Sequence, residues 1–381
     1  MELYIHIPFC IRKCVYCDFL SAPADMETIA HYMECMEKQL VREAASFQGK
    51  IIDTVFIGGG TPSILKPEQL SRLLAAVQER FTLAAGAEIT LEANPGTLTR
   101  TKAEALKAGG VNRVSLGLQS ANERELRLLG RVHTYRDFLR SYELLREAGI
   151  VNINVDLMSA LPGQTASSYE KTLLRVLALH PAHISAYSLM IEEGTPFFEQ
   201  YREDEKLRED GGTPRWLPGE ESERAMYELT GVLLAEHGYE RYEISNYAKK
   251  GFACRHNIGY WTGEAYLGLG LGASSYIEGI RFCNTSELDE YLSGDFAPRD
   301  VQKLSKNDRM AEFFYLGLRM SAGVSKADFI AQFGLRAEQV YMQEIPELIG
   351  SGLLEDTGAR YRLTDYGRDV SNQVLWRFLL G

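Results

Sequence analysis

The sequence predicts an α/β protein: a partial (β/α)6 barrel followed by a C-terminal helical, winged-helix-like module. Three observations carry that prediction. Short β-branched apolar runs alternate with helical stretches six times between residues 3 and 187, as in parallel folds with right-handed crossovers. Cysteine, glycine and polar residues recur at or just past the C-terminal ends of the expected strands, which in a barrel share the face that holds the chemistry. From about residue 301 the alternation stops, and helical patterns lead into a hairpin. Alternation by itself also allows a doubly wound sheet; the shared placement of the polar residues favours the barrel. The expected organisation is a β/α core over 1–240, a glycine- and aromatic-rich extension over 241–300, and the module over 301–381.

In chain order, residues 3–7 read as a strand that Pro8 stops, and 26–47 as a helix with Ile29, Met33, Met36 and Leu40 at helical spacing. Residues 51–57 form the second strand and run into Gly58-Gly59-Gly60-Thr61-Pro62. A helix opens at Pro67, where proline suits the first turn, and continues to about residue 80. A short strand at 88–92 is followed by a helix after Thr99, a fourth strand at 113–118, and helical stretches at 122–129 and 134–148. Gly149 suits a C-terminal cap. Residues 151–157 are the fifth strand, Ser167 and Glu170 suggest a capping box for a helix to about residue 179, and 183–187 are the sixth strand. The charged stretch 201–219 reads as a loop or hinge, 220–237 as a helix, and 239–244 as a strand extending the sheet. Few helix or strand signals mark 251–275. Helical patterns at 308–320, 326–333 and 338–350 precede a hairpin at 352–364 and a last helix.

Composition narrows the function classes. The 52 acidic residues outweigh 41 basic ones, and a net charge of −11 with no basic stripe argues against a nucleic-acid surface, in the C-terminal module as elsewhere. No apolar run approaches the roughly 20 residues of a membrane span, and the N-terminus enters a strand without a signal-peptide pattern. Cys35, Cys254 and Cys283 are isolated, whereas Cys10, Cys14 and Cys17 crowd one loop. That usage suits a reducing cytoplasm rather than a disulfide framework.

Three thiolates so close, and odd in number, suit three corners of an iron–sulfur cube, with the fourth iron left to a non-protein ligand. Zinc would want a fourth Cys or His nearby, and none follows at a sensible spacing. The triple glycine permits close backbone approach to a ligand but lacks the ending of a phosphate loop, so a plain tight turn stays open. Glu92, Gln119, Arg131 and Asp156 sit at successive strand ends, where structural ion pairs or hydrogen bonds compete with ligand contacts. Together they suit a zwitterionic, cationic ligand: carboxylates for its ammonium and hydroxyls, a guanidinium for its carboxylate.

The C-x3-C-x2-C loop with Tyr16 before Cys17 resembles the signature of the radical S-adenosylmethionine (SAM) superfamily. More specifically, Tyr4-Ile-His-Ile-Pro-Phe-Cys10, the triple glycine, Glu92-Ala-Asn-Pro-Gly96, Leu118-Gln119-Ser120, Arg131, Asn154-Val-Asp156 and Leu161-Pro-Gly-Gln-Thr165 resemble the oxygen-independent coproporphyrinogen III oxidase group, over nearly the whole chain. The resemblance implies a radical SAM barrel in which Cys10, Cys14 and Cys17 ligate a 4Fe–4S cluster. It also implies that Tyr4, Tyr16, Gly59, Gly60, Thr61, Glu92, Gln119, Arg131, Asp156 and Met190 contact SAM. Two departures speak against the oxidase: Asp18-Phe19 follows where its motif adds a cysteine, and the given sequence starts three residues before Tyr4, where the oxidase carries an N-terminal segment. The string Arg255-His256-Asn257-Ile-Gly-Tyr260-Trp261 resembles instead the sister family of HemW-type heme chaperones. That resemblance implies heme carried as cargo and passed to acceptor hemoproteins, respiratory ones among them. A radical SAM methylase or a heme-degrading relative would call for other accessory motifs. His256 suits an axial heme ligand, with Cys254 a competing thiolate, and Tyr260 and Trp261 suit stacking on the macrocycle. The alternative is a histidine hydrogen-bonded in a loop packed over the barrel mouth.

Overall fold

The computed structural model describes residues 1–379. Six strands, β1 (Glu2–Ile7), β2 (Ile51–Gly59), β3 (Thr82–Ala93), β4 (Arg113–Gln119), β5 (Asn152–Ser159) and β6 (His183–Ser188), pair in parallel in sequence order. A doubly wound sheet would reverse its order at a switch point; this one runs straight through, so the barrel is the architecture. The crossovers carry α1 (Met26–Ser46), α2 (Pro67–Arg80), α3 (Arg100–Ala108), α4 (Glu123–Leu128), α5 (Tyr135–Glu147) and α6 (Ala166–Leu177). After β6 come α7 (Pro196–Glu209), α8 (Glu220–Glu236), β7 (Glu240–Arg241), β8 (Asn246–Ala248), α9 (Arg255–Thr262), β9 (Tyr266–Leu269), β10 (Ser274–Ile277), β11 (Ile280–Cys283), α10 (Leu288–Leu292) and β12 (Arg299–Lys303). The sheet continues past β1 through β9, β10, β11 and β12, and past β6 through β8 and β7. It is an open barrel, extended at both edges by the chain that follows β6.

Period-2 alternation explains its interior. Leu3, Ile5, Ile7, Val55, Ile57, Leu91, Val114, Leu116, Val155 and Leu157 join the helices in one apolar core. The alternate residues face inward and are mostly polar: Glu2, Thr54, Glu88, Glu92, Arg113, Ser115, Asn154, Asp156 and His183 are linked across strands or lie within electrostatic reach. Helix–sheet packing holds the barrel together, while its inside is kept for hydrogen bonding.

Several expected elements differ. The segment 201–209 belongs to α7, whose pairs Arg208–Glu205 and Arg202–Glu199 stabilise a helix with only Phe197, Tyr201 and Asp204 buried. So thin an apolar stripe left no readable periodicity. The capping box of α6 is Thr165 with Ser168, two residues earlier than expected, because Thr165 accepts from the Ser168 N–H. The strand expected at 239–244 shrinks to β7, which turns back antiparallel onto β8. Residues 251–275 contain α9, β9 and part of β10.

α9 forms because a distant residue caps it. The backbone N–H groups of Arg255 and His256 donate to the Glu88 carboxylate on β3 at 3.1 and 3.2 Å. Gly263, at φ 74°, ends it in the left-handed conformation.

The C-terminal module comprises α11 (Lys306–Gly317), β13 (Val324–Ser325), α12 (Lys326–Phe333), α13 (Ala337–Val340), α14 (Glu344–Gly350), β14 (Leu354–Asp356), β15 (Arg360–Leu363), α15 (Asp365–Asp369) and α16 (Ser371–Leu375). The helix expected over 338–350 is thus two short ones. Its three strands pair in the order β13-β15-β14 and close a separate core around Phe314, Phe329, Tyr341 and Phe378. α11 lies against α9, and an isolated bridge joins Glu243 to Met320.

Gly259 shows how tightly α9 plugs the barrel, because a methyl group there would overlap the buried Glu2 carboxylate. Gly259→Ala is expected to lower the unfolding free energy by about 1–3 kcal/mol in denaturant titrations. A neutral substitution would show that this floor is loosely packed.

Candidate functional site

The site begins with register. β1 pairs with β2 so that His6 opposes Gly58 and Ile7 opposes Gly59, which sets the cysteine loop beside the triple glycine. Gly60 donates its N–H to the Ile7 carbonyl at 2.9 Å. A Cβ on Gly59 would meet the His6 ring at 2.5 Å, and one on Gly60 the Phe9 carbonyl oxygen at 2.7 Å. Gly59 also has φ 109°, so both reasons for glycine apply there.

A hydrogen-bonded arc then ties the loop to the neighbouring strand ends. Cys10 Sγ lies 3.3 Å from Thr61 Oγ1, which accepts from Asn94 Nδ2 at 2.7 Å. Asn94 Oδ1 accepts from Arg131 Nη2 at 2.5 Å, and Arg131 Nη1 reaches Cys14 Sγ at 3.5 Å. The same guanidinium donates to the Gly117 carbonyl at 2.6 Å. Cys17 donates its N–H to the Cys14 carbonyl, and burial raises its thiol pKa. All three cysteines are free and half-buried.

Across the cavity stand two carboxylates. Glu92 accepts from the Gly59 N–H at 3.0 Å; burial, then the charge of Asp156, push its pKa up to about 7. Asp156 accepts from Ser115 at 3.0 Å and Asn154 at 2.7 Å, and burial raises it too. Gln119 sits after a register shift in β4 at φ 70°, a conformation uncommon outside glycine, and accepts from the Tyr187 hydroxyl at 3.1 Å. These groups line one cavity of about 530 Å³.

Cys10, Cys14, Cys17, Tyr16, Gly59, Gly60, Thr61, Glu92, Gln119, Arg131, Asp156 and Met190 all border that cavity. Tyr4 is not among its lining residues; its hydroxyl bonds His6 Nδ1 at 2.9 Å. Asn94, Ser115, Ser185, Tyr187, Asn246 and Asn257 also border the cavity. Ser115, Ser185, Tyr187 and Asn246 carried no motif in the sequence, although polar residues at alternate positions of β4 and β6 were a signal for Ser115 and Ser185.

The heme candidates His256, Tyr260 and Trp261 are not among the residues lining this cavity, and His256, the candidate axial ligand, is enclosed. Its ring is 1% exposed. Nδ1 bonds Thr54 Oγ1 at 2.7 Å, Nε2 bonds the Tyr260 hydroxyl at 3.1 Å, and the ring stacks on Phe56. Burial, then Arg113, depress its pKa to about 3. Tyr260 makes T-shaped contacts with the rings of His256 and Tyr266. Trp261 carries the Arg319 guanidinium 4.7 Å above its ring. Cys254 is equally enclosed: its thiol, pushed up to about 12 by burial, faces Glu88.

The donor set fits the groups that the cysteine motif implies. Three thiols line one cavity, two desolvated carboxylates within electrostatic reach of each other line it too, and Arg131 Nε is buried without a partner. A ligand with a cationic centre and a carboxylate answers both imbalances. The Radical SAM superfamily profile matches residues 4–176, and a HemN C-terminal domain profile matches 304–370. Fold and cavity therefore define a radical SAM protein.

The heme chaperone HemW of Lactococcus lactis subsp. lactis is 39% identical over 99% of this chain and 97% of its own length. That of Bacillus subtilis is 36% identical over 99% and 98%. The chain belongs to the HemW family. Coproporphyrinogen III oxidase (HemN) from Escherichia coli shares the fold, with a TM-score of 0.85 over 99% of this chain and 89% of that one, at 24% identity. No helix among the described residues is long and apolar enough to cross a membrane.

The raised pKa of Glu92 has a thermodynamic consequence. Its folded-state value exceeds the unfolded 4.5, so its contribution to stability is complete below that pH and is lost as pH rises through about 7. Glu92→Gln, in protein free of cluster and SAM, is expected to flatten the fall in stability over that interval. The variant should be more stable than the parent at alkaline pH by about 1–3 kcal/mol in denaturant titrations. A parent and variant with the same pH slope would mean that Glu92 stays ionised.

Proposed function

We propose that this protein is a cytoplasmic heme chaperone that binds heme and passes it to acceptor hemoproteins, with a 4Fe–4S cluster and SAM as resident groups. The observation that carries this reading is identity of 39% and 36%, over nearly full length on both sides, to proteins named heme chaperone HemW. Respiratory hemoproteins are the proposed acceptors, by family resemblance. Phe19, standing where the oxidase motif has a further cysteine, also supports a chaperone over coproporphyrinogen oxidation.

Cys10, Cys14 and Cys17 would hold the cluster, and Glu92, Asp156, Arg131, Gln119 and the Gly59–Gly60 backbone would hold SAM. When bound, the cluster supplies an open iron for the amino and carboxylate groups of SAM and a source of one electron. The protein's own part is positional. Arg131 spans Cys14, Asn94 and Gly117, so one guanidinium sets both the cysteine loop and the end of β4. The Gly59 N–H orients the Glu92 carboxylate, and Ser115 with Asn154 orients Asp156. Burial of these groups excludes water and strengthens each contact.

The test uses anaerobically reconstituted protein. It should carry about four irons per chain, lose them in Cys10→Ala, Cys14→Ala or Cys17→Ala, and keep them in Cys35→Ala. It should take up heme in an absorbance titration and release it to an apo-hemoprotein. Asp156→Ala should weaken SAM binding by ~1–3 kcal/mol. Incubation with coproporphyrinogen, SAM and reductant should yield no protoporphyrinogen; robust SAM-dependent conversion without heme uptake overturns the chaperone in favour of the oxidase.

A further inference from the structure

We propose that the heme cargo is seated on the rim of the cysteine cavity, its flat face against Phe19 and Met190 and its propionates toward Arg12 and Lys13. This rests on the chaperone reading and gives it a location. Phe19 and Met190 both line the cavity, yet remain 59% and 70% exposed. Ile11 and Val132, also exposed, line an adjoining crevice that shares Arg12, Cys14, Thr61, Asn94 and Arg131 with the cavity. One exposed apolar side chain is ordinary, but two on the cavity and two on the crevice that adjoins it concentrate apolar surface around these polar groups and call for a ligand.

The charges on the rim complete the match. Arg12 Nη2 donates to the Gly130 carbonyl at 2.6 Å, and Lys13 Nζ to the Phe19 carbonyl at 3.0 Å. Each bond uses one donor of a side chain that carries five or three, so both cations keep capacity for a carboxylate. Asp18 and Glu192 border the same cavity, and Arg12 and Lys13, with the deeper Arg131, are its cations. An apolar disk bearing two carboxylates meets apolar side chains and cations on one surface there.

The Met190 thioether is an exposed soft donor for iron on this rim, in contrast to the enclosed His256 and Cys254. A chaperone has to give its cargo up. An open seat with a weak ligand lets an acceptor reach the heme, whereas ligation by His256 would require breaking both of its hydrogen bonds and opening the barrel floor.

The experiment titrates heme into reconstituted protein without SAM, comparing variants at equal iron–sulfur content. Phe19→Ser is expected to weaken heme binding about tenfold or more. Met190→Leu, outside the cysteine loop, is expected to shift the Soret band and spin state. Arg12→Gln with Lys13→Gln is expected to weaken binding of heme but not of heme dimethyl ester, whose propionates are blocked. Parent-like affinity and spectra in all of these variants overturn the rim seat while the chaperone reading stands. A parent protein that takes up no heme overturns both.

Discussion

The register between β1 and β2 is the constraint on which the mouth of the barrel depends. Pairing Ile7 with Gly59 brings the cysteine loop and the triple glycine to backbone contact, where no Cβ fits between Gly60 and the Phe9 carbonyl. A slip of one residue would turn every inward side chain of β1 toward the helices. The thiols would leave the cavity, and the Gly59 N–H would leave Glu92. The apolar positions Leu3, Ile5 and Ile7 hold the register from the other face, because each is fully buried against the helical layer.

Below the mouth, the barrel is filled with hydrogen bonds rather than hydrocarbon. Asn154 links Ser115, Asp156, His183 and Ser185, and His183 continues to the Tyr242 hydroxyl. One layer deeper, Glu88 caps α9 while His256 bridges Thr54 and Tyr260. Burying so many polar groups is tolerable only when most are paired, and removing one partner would leave its mate desolvated. Glu2, raised to about 8 by burial, sits 3.9 Å from a His256 whose own pKa is depressed. Desolvation thus disfavours the charged form of each.

The string from His256 to Trp261 takes its meaning from this floor. His256 and Gly259 face the barrel, where a ring and a missing side chain are needed, and Asn257 reaches the cavity from beneath. Trp261 points the other way, under Arg319 of the C-terminal module. With the Ser321 N–H donating to the Tyr242 carbonyl, this contact seats a module with its own core against the plug. One short helix thus joins the cavity, the barrel interior and the module.

Much of this was legible in the chain. Short apolar runs alternating with helical stretches marked the six parallel strands, three cysteines on one loop announced their chemistry, and Glu92, Gln119 and Asp156 stood out as polar residues ending apolar runs. These are local signals, carried by residues a few positions apart, and local spacing survives in a sequence. The open barrel's closure by α9 was not legible, because the carboxylate that caps this helix lies on β3, far away in the chain. Nor was the burial of His256, since a histidine beside asparagine and tyrosine reads alike whether its nitrogens face iron or Thr54 and Tyr260. The order of strands and helices, the cysteine loop and the polar strand ends are therefore written in the chain itself. Which polar groups border the cavity and which satisfy one another is settled by the folded chain, because that depends on hydrogen bonds between residues that the chain keeps far apart and the sheet brings together.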